Sequence, residues 1–163
     1  MELNGLLFTF PKKIKLLIGS FLVILSIGFY TGLLFVSETS SVNPHGIEEN
    51  YLGNEDVEDA EIMKFKKSPR EMLTTVHSHI LSMSLIFFLL GLILAVTQLK
   101  TGLKLFLMLE PFVSVLLTFG GIYFLWKGIS WLKYVIMFSG TLMTLTFTVS
   151  TFIIFSQLLK KRN

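Results

Sequence analysis

Four apolar runs, at 14–36, 73–97, 103–126 and 132–158, each exceed the roughly 18–20 residues a helix needs to cross a bilayer core. That leaves few architectures. Backbone in hydrocarbon must satisfy every N–H and C=O internally, so each run is a helix. The second, third and fourth runs are joined by connections of a few residues, which makes them antiparallel neighbours. The sequence predicts an all-α integral membrane protein: an antiparallel four-helix transmembrane bundle, one domain over 1–163. A single polar loop, 37–70, lies between helices 1 and 2.

Composition agrees. Only 15% of the chain is charged, against about a quarter in soluble domains. There is no cysteine, which removes disulfides, thiolate metal sites, iron–sulfur clusters and covalent haem attachment. The net charge of +3 is scattered, as expected at lipid headgroup edges, and implies no nucleic-acid partner. Lys12, Lys13 and Lys15 before the first run resemble a signal-peptide flank. The run is longer than a signal core of ~7–15 residues, and no small-residue cleavage site follows, so it reads as a retained helix.

The polar loop carries acidic residues from Glu48 to Glu61 and basic ones from Lys64 to Arg70. Asn43-Pro44-His45-Gly46 reads as a turn and Gly53-Asn54 as a break, with a short helix expected between these and Phe65. Ser68-Pro69-Arg70-Glu71 is a capping-box start, so helix 2 is predicted to begin at Pro69. Trp126, Trp131, Tyr123 and Tyr134 form an expected aromatic belt at one interface. Of the 14 basic residues, eight fall on the side of the termini and six on the other. This bias puts both termini in the cytoplasm of a plasma or inner membrane, and the loop outside.

Polar groups inside the spans are the candidate functional residues, because charge there is costly. His77 and His79 lie roughly 12 and 15 Å up helix 2 from Pro69, about one to two turns inside the hydrocarbon edge. Two positions apart on a helix is about 200°, so the rings diverge and cannot grip one ion or one haem together. His79, the deeper, is the expected inward one, with Ser82 three residues on to orient it. Haem b or a metal ion is the corresponding candidate ligand. An axial partner would come from His45, a methionine such as Met83, or another subunit. Glu110, just before Pro111, is the second candidate, a proton or ion site about a turn and a half into helix 3. The alternative is a side chain reaching out to Lys104, Lys100 or the basic tail. By helix rise it stands ~15 Å or more from His79.

Helix packing is expected through small residues: Gly28 and Gly32 on helix 1, closing the bundle, and the stripe Gly140, Thr144, Thr148 and Thr151 on helix 4. No nucleophile–base set, phosphate-binding glycine loop or zinc motif is present, so an enzyme is the less favoured class. The first expectation is a non-catalytic membrane subunit or accessory protein binding haem or metal through His79 and His77. A small ion- or proton-coupled transport protein using Glu110 and a purely structural interaction protein are the alternatives. The expected partners are the bilayer and other membrane subunits or further copies of the chain.

Overall fold

In the computed structural model the helices run past the apolar stretches at most ends. The structure describes residues 3–40, 43–55 and 62–160. Helix α1 spans Lys12–Ser40, α2 Pro44–Leu52, α3 Pro69–Ala95, α4 Thr101–Trp126 and α5 Leu132–Leu159. All but α2 are long and apolar enough to cross a membrane. No strand occurs among the described residues. The antiparallel four-helix transmembrane architecture is therefore as the sequence implies.

Helix α3 starts where its cap says. Ser68 Oγ accepts from the Glu71 N–H at 3.3 Å, and the Glu71 carboxylate accepts from the Ser68 N–H at 2.8 Å. Two orphan donors of the first turn are satisfied reciprocally. The loop differs from expectation. Asn43-Pro44-His45-Gly46 is not a free turn but the start of α2: Asn43 Oδ1 accepts from the Gly46 N–H at 2.7 Å, and Pro44 takes the first helical position. The short helix thus precedes Gly53 rather than following it. Much of the stretch where it was expected, including Asp56, Glu58, Asp59 and Glu61, lies outside the described residues, as do Lys161 and Arg162 of the basic tail.

Gly53 then turns the chain with φ 84°, and a side chain there would run into the Lys66 N–H and the Lys64 carbonyl. Asn54 fastens the return strand of the loop, donating to the Ile62 carbonyl at 3.0 Å and accepting from the Lys64 N–H at 2.6 Å. Glu48 of α2 pairs with Lys133 of α5 at 2.5 Å. The Lys133 ammonium hydrogen-bonded to it holds the Glu48 carboxyl below its usual range.

The core is formed by α4 and α5, with α3 against them. Leu125 of α4, Phe147 and Ile154 of α5, and Phe87 and Leu90 of α3 are buried. Helix α1 buries Leu22 alone and rests on α5, where Phe29 stacks on Phe147 at 3.8 Å and the Tyr30 hydroxyl meets Thr148 Oγ1 at 2.9 Å. The expected glycine seam is not the contact: at Gly28 and Gly32 an added Cβ would meet nothing within 4 Å. Aromatic rings, not small residues, seat α1.

At the end where the chain begins, Leu7 is fully buried and its N–H donates to the Val96 carbonyl at 3.0 Å. Lys104 Nζ donates to Asn4 Oδ1 and to the carbonyls of Ala95 and Thr97. The Gln157 amide exchanges two hydrogen bonds with the Gln98 backbone, at 2.8 and 3.0 Å. Several polar groups of the α3–α4 connection thereby find partners within the chain.

Candidate functional site: a polar seam between α4 and α5

Helix α4 carries Glu110, Ser114 and Thr118 four residues apart, on one face, and all three are buried. Facing them, α5 buries Ser139, Thr146 and Ser150. Ser114 Oγ donates to Glu110 Oε1, and Thr118 Oγ1 meets Ser139 Oγ across the interface at 2.7 Å. Counting outward from that contact along antiparallel helices brings Glu110 level with Phe147, between Thr146 and Ser150. The other carboxyl oxygen, Glu110 Oε2, is buried with no hydrogen-bond partner, and so is Ser150 Oγ.

Glu110 lies nine residues into a 26-residue span, roughly 13 Å from one end and 24 Å from the other. It is deeper than the turn and a half expected, because α4 begins at Thr101. It does not reach out to a lysine. Lys104 is occupied by Asn4, Ala95 and Thr97, and no cation pairs with Glu110 among the described residues. Pro111 does not break the helix either; α-helix continues through it to Val115. The irregularity comes later, as a π-helical turn at Leu116–Gly120 that contains Thr118. Such turns recur at functional sites in helices.

The buried face of α5 is one residue away from the stripe read in the sequence. Ser139, Met143, Thr146 and Ser150 face inward, and so does Thr151 of the expected stripe, whereas Thr144 is half-buried and Thr148 exposed, reaching Tyr30 of α1. Gly140 does lie at the α4 contact, its position 4.0 Å from Thr118 Cγ2. Sequence reasoning missed Ser114, Thr118, Ser139 and Ser150 as a set. The signal was present: a four-residue polar spacing on α4 opposite Ser139, Thr146 and Ser150 on one face of α5.

The histidines sit differently. His77 and His79 are both exposed in the chain. His79 Nδ1 lies 2.8 Å from the Thr75 carbonyl; a carbonyl only accepts, so Nδ1 is the donor in that contact. One face of the ring stacks on Phe119 of the π-helical turn, with centroids 4.7 Å apart. Ser82 does not orient the imidazole: its hydroxyl donates to the Ser78 carbonyl at 2.7 Å. His45 is spent on Glu49 of its own helix at 3.2 Å. No group of three or more His, Cys, Asp or Glu side chains that could hold a metal ion occurs among the described residues.

The aromatic belt is also divided. Trp131 and Tyr134 are exposed, as a belt requires, but Trp126 is buried. Its Nε1 donates to the Lys67 carbonyl at 2.8 Å, and the ammonium groups of Lys66 and Lys127 lie over its ring at 5.5 and 4.9 Å. It pins the polar segment to the end of α4.

Four apolar spanning helices around a buried polar seam define an integral membrane protein with a helical transmembrane domain. The chain belongs to the Aq_1264_TM family, described as a transmembrane helical domain, whose family model matches residues 41–163. The match takes in α2 to α5 and leaves α1 outside. No curated protein and no solved structure matches the chain.

Proposed function

We propose that this chain is a small proton-handling membrane protein and that Glu110 is its working group. The reading rests on one observation: a buried carboxyl about a third of the way along a span, with an unpartnered oxygen and no cation beside it among the described residues. An acid inside a span is costly to place, and such groups mark proton and ion pathways. Ser114 supplies the one hydrogen bond that holds the carboxyl in place. Beyond it, Thr118 and Ser139 continue the hydroxyls toward the level of His79, about 13 Å along α4 by helix rise. His79, stacked on Phe119 of the π-helical turn and exposed in the chain, stands at that end. A metal- or haem-binding role for His79 and His77 has no comparable support.

Proton flux through the reconstituted protein tests this. Dissipation of an imposed pH gradient in liposomes is faster with the wild type than with Glu110→Gln. Flux identical in both proteins would sink the proposal.

A further inference from the structure

At the end where the chain begins, α1 and the last turns of α5 leave an open groove of about 690 Å³ between them. Lys12, Lys15, Gly19 and Ile24 of α1 line one wall, Phe155 and Leu158 of α5 the other. Gly19 keeps it open, since its position faces nothing within 4 Å. From Lys12 to Ile24 is about 18 Å of helix, close to half of a ~30 Å hydrocarbon core. The groove is thus about one leaflet long, cationic at its membrane-edge end and apolar along the rest.

Among the described residues the charge at that edge is one-sided. Lys13, Lys100 and Lys160 are exposed at the same end. Among the described residues the ion pairs all belong to Glu48 and Glu49, at the opposite end, and Glu110 is buried within the seam. Lys15 Nζ is fixed by donating to the Phe8 carbonyl at 3.1 Å, and an ammonium has two further protons to give.

We propose that the groove binds one anionic phospholipid of the adjoining leaflet, with an acyl chain along Gly19 and the phosphate between Lys12 and Lys15. A lipid there fills the space that α1 and α5 leave between them and helps to seat a helix that touches its neighbours through few side chains.

Native mass spectrometry of the full chain, released from mixed micelles of phosphatidylglycerol and phosphatidylcholine with identical acyl chains, tests the site. The wild type retains one phosphatidylglycerol in preference to phosphatidylcholine. Lys12→Gln with Lys15→Gln lowers that preference on the order of 30-fold, the effect of two surface lysines on anionic lipid. Gly19→Phe, which fills the groove, loses both lipids at unchanged helix content. Equal retention of the two lipids by the wild type overturns the proposal, as does an unchanged preference in the double variant. If Gly19→Phe instead converts a dimer to a monomer without altering lipid retention, the groove takes a second copy of the chain and the proposal fails. Should Gly19→Phe not insert, the lysine pair decides alone.

Discussion

Helices α1 and α4 are nearly equal in length and both apolar enough to cross a bilayer, yet of an 18-residue apolar stretch in each 6% is buried in α1 and 50% in α4. Hydrophobicity does not separate them. Lipid tails are as apolar as leucine, so an apolar surface gains nothing by leaving lipid for another helix. What α4 has and α1 lacks is buried polarity turned toward a partner; the one cross-helix hydroxyl contact described for α1, Tyr30 to Thr148, is exposed. Glu110, Ser114 and Thr118 face inward, with Thr118 bonded across to α5. The hydroxyls of Thr31, Ser37 and Thr39 on α1 go back to carbonyls of their own helix, at 2.8 Å each. The family match draws the same line, beginning at residue 41 after α1 has ended.

The largest effect that can break this contrast is a leucine truncated in each helix. Leu125→Ala on α4, where the side chain is fully buried, costs about 3 kcal/mol in denaturant unfolding in mild detergent. Leu17→Ala on α1, where it is 66% exposed, stays within about 0.5 kcal/mol. Equal costs would mean that α1 is packed after all. Glycines give the next test, by sign. At Gly121 a Cβ would stand 3.0 Å from Ile136 Cγ1, so Gly121→Ala destabilises by about 1 kcal/mol. At Gly28 the space is open and alanine is the better helix former, so Gly28→Ala stabilises by about 0.5 kcal/mol. Thermal unfolding of the two variants side by side reads the difference. The smallest effect is outside the spans. Because the Glu48 carboxyl is held below its ordinary range, it contributes stability at neutral pH that is lost as pH falls through its lowered folded-state value. A melting temperature that drops on acidification in the wild type and less so in Glu48→Gln checks the sign.

The spans were legible in the sequence because run length alone decides them, and the start of α3 because Ser68, Pro69 and Glu71 act locally. The inward faces were less so. Helix α5 is apolar nearly all round, so its inner residues Ser139, Met143, Thr146 and Ser150 lie beside the expected stripe Gly140, Thr144, Thr148 and Thr151, of which only Thr151 is buried. The phase of such a helix is set by what packs against it. Helix α1 misled for a related reason: Gly28 and Gly32 permit close approach but do not cause it, and stacking of Phe29 on Phe147 sets the contact instead. Asn43 can start a turn or cap a helix with the same side chain, and only the backbone after Gly46 tells which. The depth of Glu110 was underestimated because Thr101 and Gly102, read as connection, are helical.

The π-helical turn at Leu116–Gly120 means that α4 holds a surplus residue. Deleting one residue from an ordinary spanning helix rotates everything beyond it by about 100° and turns its buried face to lipid. Within 116–120 the same deletion would relax the wide turn to α-helix and leave both halves facing their present neighbours. This is the one stretch of the seam where the chain can change length without losing its phase.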